Sequence, residues 1–293
     1  MPAAEVDISA DLVRGLLAAQ HPDLAPLPVW VMANGWDNLV CRLGSDLIVR
    51  LPRRELAAEL VRHEQRWLPE LAPSLPLPIP APVRVGQPGL GYPWAWSIVP
   101  FLPGSPAALD PPADMHETAV IIGSFLSALH TPAATDAPAN PFRGVPLGTR
   151  SGAVTERLTS LGGLIDQVEA RRVWEAALAI PPWQGPPIWL HGDLHPANIL
   201  VSDGRVSGVI DFGDITAGDP AGDLSVAWML LPAEQHSAFR DAYDAGSKLH
   251  VGEDDWSRAK GWALAFSLAF LANSADNEMM AGIGRVTLDA VLA

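Results

Sequence analysis

The stretch "WLHGDLHPANILVSDGRVSGVIDFGDITAGDP", residues 189–220, holds most of the candidate chemistry of this chain. It contains two histidines four positions apart, several aspartates, one asparagine and an Asp-Gly turn signal. Two interpretations fit these residue types. In one, the first histidine-rich segment is a cluster of metal ligands. In the other, an aspartate is a catalytic base, and an asparagine and a later aspartate hold magnesium for phosphate transfer.

The metal-cluster interpretation is that of a metallohydrolase in which His191, Asp193 and His195 bind a divalent ion together. Pro196 weakens it, because proline prevents the helix that would place both histidines on one face. The other histidines are scattered through the chain without the spacing of metal ligands. The metallohydrolase therefore stays a remote alternative.

The phosphate-transfer interpretation rests on spacing. Asp193 and Asn198 are separated as in the Asp-x-x-x-x-Asn pattern of a kinase catalytic loop. The segments 199–201 and 206–210 are predicted strands joined by a tight turn, and this hairpin brings Asp211 back beside Asn198. Amide and carboxylate oxygens suit Mg²⁺, and Asp193 is then placed to orient an acceptor hydroxyl and accept its proton late.

The combination "HGDLHPANIL" (191–200), "VIDFGD" (209–214) and "DPAGDL" (219–224) resembles the aminoglycoside phosphotransferase family. The members of that family are relatives of the protein kinases and phosphorylate antibiotics and other small alcohols. The specific motifs lie within residues 189–228, although the layout of the resemblance extends over most of the chain.

The resemblance implies an α+β, bilobal, protein-kinase-like fold with a small sheet-rich N-lobe and a larger, mostly helical C-lobe. It implies ATP or GTP as phosphoryl donor, Asp193 as catalytic base, and Asn198 and Asp211 as ligands of Mg²⁺. His191 is expected to shape the loop and Asp223 to brace it from below. From sequence alone, Asp223 fits equally well as an acid in the first turn of a helix, where the helix dipole favours it.

Secondary-structure patterns divide the chain near Phe101–Gly104. The N-terminal part has predicted helices at 9–20 and 55–71 and predicted strands at 29–32, 38–43, 47–51 and 92–104. The C-terminal part has predicted helices at 113–130, 153–180, 221–231, 233–247, 253–274 and 276–292, with a long loop at 131–152. We therefore expect an N-terminal nucleotide-binding lobe at 1–102 and a C-terminal catalytic and acceptor-binding lobe at 103–293.

A kinase small lobe needs a cation on its third strand and a helical glutamate to position that cation. Arg50 is the cation here, in place of lysine, and Glu64 is the expected partner with Glu59 as rival. Because Val49 and Leu51 point to the opposite face of the strand, the alternation favours a functional position for Arg50 over a surface one.

A glycine-rich phosphate loop is abbreviated in this sequence. There is no G-x-G-x-x-G and no Walker A pattern. The segment "MANGWDNLV", residues 32–40, is the candidate, with Gly35 at the turn and Asn38 on the returning strand. Members of the family often have such a short loop, so its presence here is compatible with ATP as the phosphoryl donor.

The nucleotide base would pair with backbone groups near the lobe boundary. Pro100 has no N–H to donate. The expected contacts are therefore the carbonyl of Val99 and the N–H of Phe101 or Leu102.

Net charge and cysteine count restrict the partners. The net charge of −14 disfavours nucleic acid and anionic membranes. It favours a cationic small molecule, unless the acidic surface serves solubility alone. A single cysteine and no signal-peptide pattern indicate the cytoplasm, and the longest apolar run, 262–272, is too short to span a bilayer. The sequence gives no indication of oligomeric state.

The acceptor is the least determined part. Asp214 is the carboxylate best placed for a cationic aminoglycoside, whereas aromatic and methionine side chains in the C-terminal helices suit a macrolide or belong to the core. An antibiotic-resistance enzyme is the first hypothesis. A kinase of an endogenous metabolite is an alternative. So is a nucleotide-binding pseudokinase, which Arg50 and the weak glycine loop favour.

Overall fold

The N-terminal strands form one five-stranded antiparallel sheet in a computed structural model that describes residues 3–247, 249 and 251–293. The chain divides into unit 1, Met1–Pro73 with Pro78–Leu102, and unit 2, Ser74–Leu77 with Pro103–Ala293. The sheet of unit 1 has the order β1-β2-β3-β5-β4. Its strands are β1 Val29–Asn34, β2 Asn38–Leu43, β3 Leu47–Pro52, β4 Arg84–Gly86 and β5 Trp96–Pro100.

The core of unit 1 follows the alternation of its strands. In β2, Leu39, Cys41 and Leu43 are buried, and they pack with the apolar face of helix α1, Ala10–Gln20. The α1 helix begins as its sequence predicts, because the Ser9 hydroxyl accepts the N–H of Leu12.

A second helix of unit 1, α2, spans Glu55–Leu71, as its sequence predicts. The strand predicted from residue 92 is shorter than expected, since β5 begins at Trp96. Residues 89 and 92 instead face each other across an isolated bridge, so the segment before β5 turns rather than extending.

Unit 2 is mostly helical. Its helices are α3 Met115–Leu129, α4 Ser151–Leu161, α5 Gln167–Leu178, α6 Ala221–Leu224, α7 Val226–Leu230, α8 His236–Gly246, α9 Glu253–Asn273 and α10 Glu278–Leu292. Within the described ranges, no helix is long and apolar enough to cross a membrane.

Two of the predicted helices are each divided in the structure. The prediction of a single helix at 153–180 is wrong. The helix α4 ends before Gly162, which adopts a left-handed φ of 48°. A new helix, α5, then begins after Asp166, whose carboxylate accepts the N–H groups of Val168 and Glu169. The helix predicted at 221–231 is likewise two short helices that meet at Ser225.

Unit 2 also contains short strands, most of which lie in the segment quoted at the outset. They are β6 Ser105–Pro106, β7 Ile188–Leu190, β8 Ile199–Ser202, β9 Arg205–Val209 and β10 Thr216–Gly218. The predicted hairpin is β8–β9, and its turn uses Asp203 and Gly204 at φ of 53° and 75°. The pairing of β7 with β10 was not predicted. The β7–β10 and β8–β9 pairs together fix the ends of two connecting loops, residues 191–198 and 210–215.

A buried ion-pair network fixes α9 to the start of α6. The guanidinium of Arg258, 3% exposed, lies 3.0 and 3.2 Å from the two carboxylate oxygens of Asp219 and 2.6 Å from Asp255. The N-cap position of α6 is Pro220, and the Asp219 carboxylate just before it accepts the N–H of Ala221.

We expect Arg258→Met to lower the unfolding free energy of unit 2 by about 3–5 kcal/mol, because it leaves two carboxylates buried without their cation. Urea denaturation followed by tryptophan fluorescence measures this loss. The matched control is Arg172→Met on α5, an exposed arginine paired with Glu169, which should leave the denaturation midpoint unchanged. Equal midpoints for wild type and Arg258→Met would contradict the role of the network.

Candidate active site

The loop after β7 turns sharply at Gly192. This residue has φ of 85°, and a Cβ added there would collide with the backbone carbonyl of Asp214. Glycine is therefore required between His191 and Asp193, because any side chain would be strained and would also push the two loops apart. The sharp turn sets the direction in which Asp193 leaves the strand.

A buried carboxylate lies under this turn. Asp223 accepts the N–H of His191 at 2.7 Å and the N–H of Gly192 at 2.9 Å through its two oxygens. His130 Nε2 lies 3.2 Å from the same carboxylate, and Tyr243 contacts the other ring nitrogen at 2.8 Å. Burial disfavours the charged form of Asp223. The bond from His130 and the charges nearby nevertheless hold its pKa below the ordinary value.

His191 links the two loops of the site. Its Nε2 lies 3.0 Å from the carbonyl of Ile210, and its Nδ1 accepts the N–H of Asp193 at 3.2 Å. The ring also packs on Phe212 with centroids 4.4 Å apart. Both ring nitrogens are therefore engaged with the protein, so the histidine positions the loops.

The metal-cluster interpretation does not survive this geometry. Neither nitrogen of His191 has a lone pair available for a metal in the tautomer that these bonds require. In the part of the chain that the structure describes, no group of three or more His, Cys, Asp and Glu residues is arranged to hold a metal ion. The structure thus contradicts the metallohydrolase built from His191, Asp193 and His195.

Asp193 is half-buried and is contacted on both carboxylate oxygens. Arg143 lies 2.8 Å from Oδ1, and His195 Nε2 lies 3.4 Å from Oδ2. Burial raises the pKa of this carboxyl, but His195 and Arg143 together bring its pKa well below the usual range. Asp193 is therefore a carboxylate at neutral pH.

Asn198 and Asp211 are brought together by the β8–β9 hairpin. The N–H of Ile210 donates to the carbonyl of Asn198 at 2.9 Å, which places the residue after it beside the asparagine. The amide nitrogen of Asn198 donates to the carbonyl of Asp193 at 2.9 Å, so Oδ1 is the side-chain atom that could bind a metal ion. Asp211 has a left-handed φ of 65°. An amide oxygen and a carboxylate are a donor set that fits Mg²⁺.

The structure brings Arg143 to the site, and sequence reasoning missed it. It belongs to the segment predicted only as a long loop. That segment is ordered along β10, where the carbonyl of Pro138 accepts the hydroxyl of Thr216 at 2.8 Å and the carbonyl of Gly144 accepts the N–H of Asp219 at 3.1 Å. The Pro and Gly residues around it mark turns, but no sequence signal connects Arg143 with Asp193.

Asp214, expected to contact the acceptor, is already bonded within the protein. Asn140 donates to Oδ1 at 2.7 Å, and Arg143 lies 3.5 Å from Oδ2. Burial raises the pKa of Asp214, whereas Arg143 opposes the rise. A cationic acceptor at this carboxylate would have to displace an internal cation, which weakens the expectation.

In unit 1, Arg50 pairs with Glu64. Its Nη1 lies 2.9 Å from each carboxylate oxygen, and the two side chains are 11% and 1% exposed. The rival, Glu59, is exposed and pairs with Arg62 on its own helix. The flanking residues of Arg50 point into the core of unit 1, as the alternation predicts.

The abbreviated glycine loop is the β1–β2 turn. The N–H of Gly35 donates to the carbonyl of Asn38 at 2.9 Å, and Arg53 donates to the carbonyl of Gly35 at 2.8 Å. Trp36 at the tip is 60% exposed. The side-chain oxygen of Asn38 is buried and has no hydrogen-bond partner among the residues described.

The structure corrects one of the expected contacts to the nucleotide base. The N–H of Phe101 donates to the carbonyl of Asp46 at 2.8 Å, and the guanidinium of Arg42 lies 3.2 Å from the centre of the Phe101 ring. That N–H is therefore committed within unit 1. Of the two donors that the sequence indicated, the N–H of Leu102 stays the expected contact, and Val99 lies in β5 opposite Ile48.

Three comparisons relate the chain to known proteins. A model described as the phosphotransferase enzyme family matches residues 31–262. An aminoglycoside 3'-phosphotransferase of Streptomyces fradiae is 29% identical over 174 residues, which are 56% of this chain and 63% of the relative. The chain thus spans less than two thirds of the length of that curated relative.

Solved structures match over nearly the whole chain. A macrolide 2'-phosphotransferase of Brachybacterium faecium is 28% identical, with 94% of this chain and 96% of that chain covered and a TM-score of 0.62. The GDP complex of an aminoglycoside 2'-phosphotransferase is 16% identical, with coverages of 95% and 97% and a TM-score of 0.66. These matches confirm the predicted α+β, protein-kinase-like fold class.

We expect Asp223→Asn to lower the unfolding free energy by about 1–3 kcal/mol, because an amide nitrogen would face one of two buried backbone N–H groups. The ionised Asp223 stabilises the fold because its folded pKa is depressed. The difference between wild type and variant should therefore be complete at neutral pH and shrink as pH falls below about 3.9. Hydrogen exchange should show faster exchange at the amides of His191 and Gly192. Unchanged protection of both amides would contradict the bracing role.

Proposed function

The chain belongs to the phosphotransferase enzyme family, and on that premise we propose that it transfers the γ-phosphoryl group of ATP or GTP to a hydroxyl of a small molecule with the help of Mg²⁺. The observation that carries the proposal is the arrangement of Asp193, Asn198 and Asp211 on two loops held by His191. We assign nucleotide binding to residues 1–102 and catalysis with acceptor binding to residues 103–293.

In this proposal Asp193 acts on the acceptor hydroxyl. The hydroxyl oxygen attacks the γ-phosphorus as the bond to the bridging oxygen breaks, the hydroxyl proton passes to the Asp193 carboxylate, and a nucleoside diphosphate leaves. A carboxylate with a depressed pKa is a weak base. Its main work is therefore to orient the hydroxyl and to accept the proton late, which suits a loose phosphoryl-transfer transition state.

The oxygens of Asn198 and Asp211 would hold Mg²⁺, which when bound neutralises charge on the phosphate oxygens. The amide of Asn198 is oriented for this by its bond to the Asp193 carbonyl. The left-handed backbone at Asp211 is a strained conformation of the kind that accumulates at functional sites. Both features support the assignment of these two residues as metal ligands.

For the nucleotide, we assign Arg50 to the phosphates and Glu64 to the positioning of Arg50. Both oxygens of the buried Glu64 carboxylate contact Nη1 of Arg50, which holds the guanidinium in position. The turn with Gly35 and Asn38 would cover the phosphates. The Val99 carbonyl and the Leu102 N–H would pair with the base. Related proteins have been solved with GDP and with ADP, which supports either nucleotide as donor.

The names of the relatives make antibiotics the first acceptors to test. The relatives include aminoglycoside and macrolide phosphotransferases, and solved structures of both kinds match over nearly the whole chain. We therefore also propose a role in antibiotic resistance, in the cytoplasm, where ATP and GTP are available. The alternative acceptor for the same phosphoryl-transfer reaction is an endogenous alcohol. The complete Asp193, Asn198 and Asp211 set argues against a pseudokinase.

We expect Asp193→Asn to reduce phosphoryl transfer by about 10²–10⁴-fold, the range of a lost general base, and to leave nucleotide affinity unchanged. The measurement is mass spectrometry of acceptors after incubation with ATP or GTP and Mg²⁺, with nucleotide binding measured in parallel. The panel contains aminoglycosides, macrolides, sugar alcohols and hydroxy acids. Phosphorylated acceptor formed equally by wild type and variant would contradict the role of Asp193. Failure of the wild type to bind either nucleotide would contradict the proposed function.

Arg50→Gln should raise the KM for the nucleotide by roughly tenfold or more, since one charge-assisted contact contributes about 1.5–3 kcal/mol. Steady-state kinetics at saturating acceptor measure it. Arg62→Gln, which changes an exposed arginine on α2, is the matched control and should leave that KM unchanged. An unchanged KM for the nucleotide in Arg50→Gln would contradict the assignment of Arg50 to the nucleotide phosphates.

A further inference from the structure

Unit 2 contains a cavity of about 150 Å³ beside Asp193 that the proposed reaction does not explain. It lies between α9 and the segment that leads through α4. Its wall contains three arginines and three aromatic residues, namely Arg143, Arg150, Arg157, Trp262, Phe266 and Phe270. No acidic side chain lines it among the residues that the structure describes.

The three arginines are close enough to perturb one another. Burial and the charges of Arg143 and Arg157 lower the pKa of Arg150, and burial lowers the pKa of Arg157, where Arg143 adds to the effect and Glu156 opposes it. Arg143 is paired with Asp193 and Asp214. Within the described ranges, no carboxylate forms an ion pair with Arg150 or Arg157. Cations gathered in this way repel one another, so an anion bound among them would be stabilised.

Two hydrogen-bond donors at the cavity have no acceptor. The Nε of Arg143 and the indole Nε1 of Trp262 are both buried without a hydrogen-bond partner in the described part of the chain. Trp262 is only 2% exposed. A buried donor without an acceptor costs free energy, and a ligand that brings several acceptor oxygens removes that cost at both places.

The rest of the wall is apolar and ordered. Trp262, Phe266 and Phe270 follow one face of α9 at intervals of four residues, with ring centroids 5.7 and 6.0 Å apart. The Phe270 ring also contacts His195 at 5.3 Å, next to Asp193. The apolar or aromatic part of a ligand bound here would pack against this row of aromatic rings, and one end of the ligand would lie close to the carboxylate of Asp193.

We propose that this cavity binds an anionic group of the acceptor, a carboxylate or a phosphate ester, while the hydroxyl of the same molecule meets Asp193. The proposal rests on the proposed function, whose acceptor it specifies. Arg143 connects the cavity with the position of the acceptor hydroxyl, because its guanidinium contacts Asp193 and its side chain also lines the cavity. A small acidic alcohol with an apolar body therefore fits this site better than a polycationic aminoglycoside.

The binding test uses inorganic phosphate as the probe and does not depend on activity. Phosphate is titrated into the ¹⁵N-labelled protein with ADP and Mg²⁺ present, and the indole N–H resonances are followed by NMR. Trp262→Phe identifies the resonance of Trp262. We expect that resonance to shift with phosphate, and we expect Arg150→Gln and Arg157→Gln each to weaken the binding about tenfold or more. Arg171→Gln, an exposed arginine on α5, is the control and should bind phosphate like the wild type.

A Trp262 resonance that stays fixed while phosphate is added would overturn the anion site. The same holds if Arg150→Gln, Arg157→Gln and Arg171→Gln bind phosphate equally well. Either result leaves the phosphoryl-transfer proposal intact, because neither result measures nucleotide binding or the role of Asp193.

The second test assigns the anion to the acceptor. Aromatic hydroxy acids are compared with their neutral amides as acceptors for ATP or GTP. Arg157→Gln should raise KM for the acid about tenfold and leave KM for the amide unchanged, with kcat for both retained. Inorganic phosphate should compete with the acid and not with the nucleotide. Equal KM values for acid and amide, or phosphate inhibition that is not competitive with the acid, would overturn the assignment to the acceptor.

Discussion

The buried carboxylate of Asp223 is the contact on which the catalytic loop depends. The β7 strand ends at Leu190, so the next two backbone N–H groups have no ladder partner, and Asp223 accepts both. His191, fixed by its backbone, then bonds through its ring to the N–H of Asp193 and to the carbonyl of Ile210. One buried charge thus orients both loops that carry the proposed catalytic and metal-binding groups.

This arrangement explains why local sequence predicted so much of the site. The spacing of Asp193 and Asn198 and the Asp-Gly turn of the following hairpin are properties of adjacent residues, and short-range geometry alone brings Asp211 back to Asn198. The alternation of buried residues in β3 likewise placed Arg50 on the face where Glu64 lies. In each case the relative position of the two residues is determined by a single hairpin, or by one strand and the helix that follows it.

Other parts of the site depend on contacts between distant segments. Arg143 reaches Asp193 from 50 positions earlier, and Asn140 reaches Asp214 across 74 positions. No periodicity or spacing encodes such contacts, so Asp214 looked available and Arg143 looked like part of a loop. The commitment of the Phe101 N–H to Asp46 is also invisible in sequence, because it depends on the antiparallel pairing of β3 with β5.

Net charge and the lining of the cavity near Asp193 favour different kinds of acceptor. The chain carries −14 overall, which favoured a cationic ligand. Charges in salt solution act over a Debye length of about 8–10 Å, so the groups that line a cavity decide what binds there. Here those groups include three arginines and an indole N–H that has no acceptor among the residues the structure describes. The local donors and the surface charge point to opposite kinds of ligand.

The central claim, that Asn198 and Asp211 hold the metal of a phosphoryl-transfer site beside Asp193, is tested most directly by anomalous diffraction. Crystals would be grown with Mn²⁺ and a non-hydrolysable ATP or GTP analogue, and data would be collected at the manganese edge. The account predicts a manganese peak bonded to Asn198 Oδ1, the Asp211 carboxylate and the nucleotide phosphates. A nucleotide bound with its metal held by other residues, or a peak at His191 and His195, would contradict it.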